Sequence, residues 1–224
     1  MASVTGIEDV AVAINDGSSK NGSVVDAKVE AKGNGGGAKG TAPIVKLGSK
    51  PTLIVHSPLK FLIMDSPKKE NLHLYIKECK RHGVTDLVRV CSPSYSAKEM
   101  ELAGISVHEM AYADGTRPPD DVIKQFLGVV KSRFVEGGGG AGAGAGAGAD
   151  ARGGDACIGV HCVAGLGRAP VLVAIALIEF GGCDPIVAVD FIRKHRRGAI
   201  NAQQLDYLEQ YTPTFNAGCV CSIM

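Results

Sequence analysis

Tryptophan is absent from the 224 residues, and aromatic side chains make up only 5%. Neither sign of charge is in excess: 24 Lys+Arg stand against 23 Asp+Glu, a formal net charge of +1. A protein that binds nucleic acid by bulk electrostatics carries a basic surplus, so nucleic acid is excluded as a partner. No apolar run approaches the ~18 residues of a membrane span; the longest runs from Val171 to Ile178. No C-x-x-C pair occurs among the seven cysteines at 79, 91, 157, 162, 183, 219 and 221. Their odd number and spacing fit neither a zinc site nor a disulfide framework. The first residues lack the charged and apolar regions of a secretory signal, and Ala2 excludes myristoylation, which needs glycine second. The expectation is a reducing, intracellular setting with free thiols.

Glycine is the excess: 30 residues, about twice the usual share of ~7%. Nine lie in residues 1–50 and ten in residues 137–154, leaving 11 elsewhere. The stretch Lys32-Gly33-Asn34-Gly35-Gly36-Gly37 cannot bury enough apolar area to offset its ordering entropy. Residues 1–50 are therefore expected to be a disordered low-complexity tail, and residues 137–154 a flexible Gly/Ala-rich insertion. That insertion interrupts one domain over residues 51–215, and residues 216–224 form a flexible C-terminal tail.

Within the domain, residues 52–56 and 60–65 are β-rich runs split by Ser57-Pro58, as in two neighbouring strands. Leu72, Ile76 and Cys79 recur at helical spacing, with Gly83 just beyond. Residues 86–91, 105–110 and 157–161 read as strands, and residues 96–103 as a short helix. Pro118-Pro119-Asp120 opens a helix with Val122, Ile123, Phe126, Val130 and Phe134 on one side. Three helices close the domain. One runs through residues 171–180. The next has Asp184 as N-cap and Pro185 at N1 and ends in Arg193-Lys194-His195-Arg196-Arg197-Gly198, read as dipole compensation and solvated surface. In the last, Asn201 and Gln204 have capping-box spacing, Leu205 and Leu208 face inward, and Pro213 stops it. Strands alternating with helices imply an α/β fold: a central mixed sheet of about five strands flanked by helices.

The most informative segment is His161-Cys162-Val163-Ala164-Gly165-Leu166-Gly167-Arg168, a cysteine and an arginine separated by five residues between a strand and a helix. A phosphate dianion needs many donors in a small volume, and a tight loop running into a helix N-terminus points successive N–H groups inward. Val163, Ala164, Gly165, Leu166 and Gly167 would form that cradle, with the glycines allowing its curvature. Arg168 forks two N–H groups onto phosphate oxygens, which lysine could not match. The positive helix end favours a thiolate at Cys162, the candidate nucleophile. His161 is a candidate brace for the loop through its ring nitrogens. The loop supplies its own charge compensation, so neither metal nor cofactor is expected. Cys79, Cys157 and Cys183 read as packing residues. The last four residues, Cys221-Ser222-Ile223-Met224, form a prenylation box whose terminal Met favours farnesyl. A single lipid binds membranes only marginally. Cys219 is the candidate second site, by palmitoylation, because residues 214–220 contain no Lys or Arg.

Extended through Ala169-Pro170-Val171-Leu172-Val173-Ala174, the segment resembles the signature of the phosphatases of regenerating liver (PRL, protein tyrosine phosphatase type IVA). These are prenylated phosphatases of the dual-specificity group. The similarity runs from Phe61 to Pro213 and includes Gly83-Val84-Thr85, Val88-Arg89-Val90-Cys91, Asp114-Gly115 and Phe191-Ile192-Arg193. The resemblance implies a cysteine-dependent, dual-specificity-type phosphatase fold, with the catalytic loop between strand and helix. It implies hydrolysis of phosphotyrosine in phosphorylated proteins through a phosphocysteine on Cys162, with Asp114 as general acid. The family typically reads Trp-Pro-Phe-Asp-Asp-Gly where this chain reads Met110-Ala111-Tyr112-Ala113-Asp114-Gly115, so the aspartate is kept while the loop's Trp, Pro and first Asp are replaced. Ala169 stands where most tyrosine phosphatases carry Ser or Thr, implying slow turnover. Cys91 matches the family's resolving cysteine, implying a reversible disulfide with the nucleophile. The resemblance also implies binding to CBS-domain magnesium transport mediators, the basis of a rival reading as a partner-binding regulator. A phosphoinositide phosphatase is the third reading, against which stands the absence of basic residues between Val163 and Gly167. The expected location is the cytoplasmic face of plasma or endosomal membranes, with a cytosolic fraction.

Overall fold

The computed structural model describes residues 45–136 and 156–214. Residues 1–44 of the expected tail over residues 1–50, the insertion at 137–154 and the C-terminal tail with Cys219 and Cys221 lie outside them. The described strands are β1 (Thr52–His56), β2 (Leu59–Met64), β3 (Val84–Arg89), β4 (Ser106–Glu109) and β5 (Cys157–His161). They form one sheet in the order β1-β2-β5-β3-β4. β1 and β2 are antiparallel, and the β2–β5, β5–β3 and β3–β4 pairs are parallel, so the sheet is mixed as expected. The expected strand 86–91 is displaced two residues toward the N-terminus, and the expected strand 105–110 is one residue shorter at each end. β3 ends at Arg89 and β4 at Glu109, although Val90 N–H still donates to His161 O and Met110 N–H to Arg89 O.

The side-chain alternation of a strand sorts this sheet into two faces. Phe61, Ile63, Val88, Val90, Ile158 and Val160 belong to one core. Leu62, Met64, Leu87 and Cys157 belong to the other. The first core is completed by α3 (Asp120–Val130), α4 (Arg168–Gly181), α5 (Pro185–His195) and α6 (Ala202–Glu209). The second is completed by α1 (Leu72–Arg81) and the short α2 (Lys98–Leu102). Helix α4 is buried from Arg168 to Glu179, as a helix with an apolar circumference must be. The caps match their sequence signals. Asp184 accepts the Ile186 N–H at 2.9 Å, and Asn201 and Gln204 close the capping box.

Two expectations shift. Helix α3 passes directly into a π-helical stretch, Lys131–Glu136, whose Arg133 reaches the buried Asp86 on β3. Burial pushes the Asp86 carboxyl up, but hydrogen bonds from His108, Arg133 and Thr85 outweigh it and hold it below the ordinary range. The tail boundary at residue 50 also moves, since the chain just before β1 is bonded to the body. Lys46 O accepts from Asn71 Nδ2 at 3.1 Å, and the Gly48 N–H donates to Tyr75 Oη at 3.1 Å.

Phe126 on α3 is fully buried, with its ring centroid 6.2 Å from that of Phe61 on β2. Phe126→Ala removes that ring from a close-packed layer and should cost about 3–5 kcal/mol, read as a lower urea midpoint at unchanged slope.

Candidate active site

Strands β3 and β5 are parallel neighbours with Arg89 opposite His161, so both chains leave the sheet at the same edge. In α/β folds that edge, at the carboxyl ends of the strands, is where ligands bind. Cys162 follows β5, and Val90 and Cys91 follow β3. The Val90 N–H donates to His161 O at 3.0 Å and so keeps the two exits together.

From Cys162 the chain curls through residues 163–167 into the N-terminus of α4. Every carbonyl of that stretch is held from behind. Val163 O accepts from Ser66 N at 3.0 Å, Leu166 O from Ile200 N at 2.7 Å, and Gly167 O from Val171 N at 3.1 Å. Arg196 takes the other two: its Nε donates to Gly165 O at 2.6 Å and its Nη2 to Ala164 O at 3.2 Å. In a planar trans peptide the C=O and the next N–H point in opposite directions. With the carbonyls turned outward, the amides of residues 164–168 face the concave side. Cys162 Sγ lies there and accepts the Gly165 N–H at 3.2 Å. Such a ring of N–H groups at a helix N-terminus can hold a thiolate and a phosphoryl group.

The loop needs glycine at 165. Its φ is +68°, and a Cβ there would lie 2.5 Å from Arg196 Nη2 and 2.6 Å from Met64 O. Ile200, whose N–H holds Leu166 O, also has a positive φ of 62°, uncommon for a β-branched residue. Backbone strain of this kind persists where surrounding structure imposes it.

Arg168 begins α4 with its guanidinium buried. Nη1 donates to Tyr112 O at 3.0 Å and to Val90 O at 3.3 Å. Nε lies 3.1 Å from Asp114 Oδ1 in an ion pair without hydrogen-bond alignment. The segment following β4 thus brings Asp114 to the arginine of the loop, and Tyr112 Oη donates back to Arg168 O at 3.1 Å. A phosphate ester seated on these donors would have a sulfur nucleophile on one side and a carboxyl group on the other. Among the described residues no three His, Cys, Asp or Glu side chains gather as a metal site requires.

His161 is fully buried. Its Nε2 lies 2.9 Å from Tyr95 Oη and its Nδ1 4.0 Å from Cys91 Sγ. Burial, aided by Arg89, pushes its pKa down to about 3, so the ring is neutral near pH 7. The ring thus braces the floor beneath the loop, whereas the loop's own carbonyls are braced by Arg196. Burial pushes the Cys91 thiol up from its ordinary value. Cys91 and Cys162 are both free.

The structure therefore brings together Cys162, residues 163–167, Arg168 and Asp114, with His161 and Cys91 beneath them and the Ala169 methyl fully buried beside Arg168. The expectation that residues 193–197 are solvated surface needs correction at Arg196, which is buried and also reaches Lys50 O, Thr52 Oγ1 and Ser49 Oγ. Arg193 likewise turns inward, to Ala199 O and Ile200 O. Sequence reasoning missed Tyr112 and Arg196. The first sits beside a recognised aspartate, and the second is hidden in a run of cations. It also missed the second feature of Gln204, whose buried Nε2 has no acceptor among the described residues and packs beside Gly167.

Comparison with known proteins gives consistent relatives. The chain is 45% identical over 163 residues to the PRL-1 phosphatase of Drosophila melanogaster, covering 73% of this chain and 83% of that protein. It is 42% identical over 163 residues to the protein tyrosine phosphatase type IVA 3 of Homo sapiens, covering 73% and 84%. A solved structure from Leishmania major, described as a protein tyrosine phosphatase, superposes with a TM-score of 0.63 at 37% identity, covering 73% of this chain and 99% of that one. No protein-family model matches the chain.

The buried neutral His161 links folding to protons. Between its folded value near 3 and its ordinary value of 6.5, the unfolded chain binds the extra proton, so stability falls as pH drops through that window. The slope from this one group is at most about 1.4 kcal/mol per pH unit. Denaturant unfolding from pH 7 to pH 4 should show a steeper loss in the native chain than in His161→Gln, and equal slopes would refute the linkage.

Proposed function

Since the chain belongs to the type IVA protein tyrosine phosphatases, the PRL phosphatases, we propose that it dephosphorylates phosphotyrosine in proteins through a phosphocysteine on Cys162. The observation that carries this reading is the Gly165 N–H donating to Cys162 Sγ inside a loop whose carbonyls all face away. The Cys162 thiolate attacks phosphorus. An S–P bond forms, the ester P–O bond breaks, and Asp114 gives its proton to the departing oxygen. Arg168 and the amides of residues 164–168 stabilise the charge that builds on the equatorial oxygens. Asp114, now a carboxylate, takes a proton from water as the water attacks phosphorus. The S–P bond breaks, phosphate leaves and the thiolate returns.

Ala169 makes the second half slow. Its methyl is buried beside Arg168, where a hydroxyl would hydrogen-bond the departing thiolate. A long-lived phosphocysteine favours a second role, in which the loop is a docking surface for CBS-domain magnesium transport mediators and turnover is secondary. Cys91 serves as the resolving thiol. When a peroxide oxidises the Cys162 thiolate to sulfenic acid, the Cys91 sulfur displaces water to form a disulfide, and two-electron reduction by a dithiol restores both thiols. The exit of β3 and β5 at one sheet edge supports this pairing. Farnesyl on Cys221, supplemented by palmitoyl on Cys219, would hold the protein at the cytoplasmic face of plasma or endosomal membranes.

Three measurements test this reading. Cys162→Ser should abolish phosphate release from an aryl phosphate while still binding inorganic phosphate; unchanged turnover would rule out the covalent path. Ala169→Ser should shorten the phosphocysteine lifetime in rapid-quench experiments by about tenfold or more, the scale of one charge-assisted hydrogen bond. After farnesylation in vitro, the native chain should sediment with lipid vesicles and Cys221→Ser should remain in the supernatant.

A further inference from the structure

The segment between β4 and α3 carries Asp114 yet has little to hold it in place. Its turn closes on itself: the Gly115 N–H donates to Asp114 Oδ1 at 3.0 Å, and Thr116 Oγ1 to Ala113 O at 2.9 Å. Among the described residues, the hydrogen bonds and ion pairs from residues 111–116 to the phosphate loop all run through Tyr112 and Asp114 to Arg168. These attachments are not equal. The Asp114 side chain is 71% exposed, so its ion pair with Arg168 is screened by water and contributes little. Tyr112 is 9% exposed and forms a reciprocal pair: its carbonyl accepts from Arg168 Nη1, and its hydroxyl donates to Arg168 O. Buried hydrogen bonds whose loss strands a partner hold geometry more firmly than exposed ion pairs do.

We propose that Tyr112 is a positioning residue: its hydroxyl latches the acid-bearing segment to the first residue of α4, so that Asp114 is docked beside Arg168 before a substrate arrives. The hydroxyl does this without touching the reacting atoms. A phenylalanine at 112 would keep the ring's burial and lose only the bond to Arg168 O, leaving the carbonyl contact and the screened ion pair to restrain Asp114. The cost then falls on proton delivery to the leaving oxygen and spares oxyanion binding, because Arg168 and the loop amides stay in place. This inference rests on Asp114 being the proton donor.

The test compares kcat/KM, which reports formation of the phosphocysteine, for two aryl phosphates in Tyr112→Phe. Phenyl phosphate leaves as a basic phenolate and needs the acid, whereas difluoromethylumbelliferyl phosphate leaves as a weakly basic anion and hardly needs it. Tyr112→Phe should lower kcat/KM for phenyl phosphate about three- to tenfold, the scale of one buried hydrogen bond. It should change the fluorinated substrate less than twofold and leave vanadate affinity unaltered. Equal losses on both substrates, no loss on either, or weakened vanadate binding would overturn the latch. Asp114→Asn, run in parallel, should discriminate between the substrates in the same direction and more strongly. If Asp114→Asn fails to discriminate, the acid assignment itself falls; if it discriminates and Tyr112→Phe does not, only the latch falls.

Discussion

Five consecutive carbonyls that must all face away from one point are the constraint around which this molecule is arranged. A buried backbone oxygen without a donor is costly, and no single regular element can satisfy all the carbonyls that diverge around a tight loop. The donors therefore come from four separate places: Ser66 after β2, Val171 within α4, Ile200 before α6, and Arg196 just beyond α5. Arg196 serves two carbonyls and ties them to the strap before β1. The unusual backbone at Gly165 and Ile200 follows from the same requirement. Loop amides fixed in this way are preorganised for an oxyanion, with no reorganisation left to perform when charge develops.

The acid side of the site is built on different principles. Asp114 sits in an exposed, self-closed turn, and its position depends on contacts to the very arginine that binds phosphate. A rigid cradle and a lightly held proton donor therefore meet at one residue. Arg168 links them, because its Nη1 holds carbonyls of both Val90 and Tyr112 while its Nε faces Asp114.

Much of this was legible in the sequence because it is local. The cysteine, the two glycines and the arginine are adjacent and fall between a β-rich run and an apolar helix, so spacing alone exposes the cradle. Caps such as Asp184 and the Asn201–Gln204 box are readable for the same reason. What was not legible is long-range. Arg196 reads as one cation among five residues at a helix end, and nothing local distinguishes it from Lys194; only the fold brings it to Gly165, 31 residues back in the chain. Tyr112 likewise pairs with Arg168 across 56 residues. The strand ends of β3 and β4 are not legible either, because Val90 and Met110 beyond them are as apolar and as buried in the core as the strand residues before them.

The Gly/Ala-rich stretch joins the π-helical end of α3 to the start of β5, and the phosphate loop leaves the opposite end of that same strand. Five residues at ~3.3 Å each separate the two ends. The anchors on either side belong to the sheet's far margin: Arg133 is fastened to Asp86, and the Cys157 N–H donates to Gly83 O at 3.1 Å. The register of β5, and with it the place of Cys162, is set by its pairing with β2 and β3 on either side. Cys162 thus owes its position to strands paired on both sides of β5, and the chain that enters the strand is anchored one strand's length away from it.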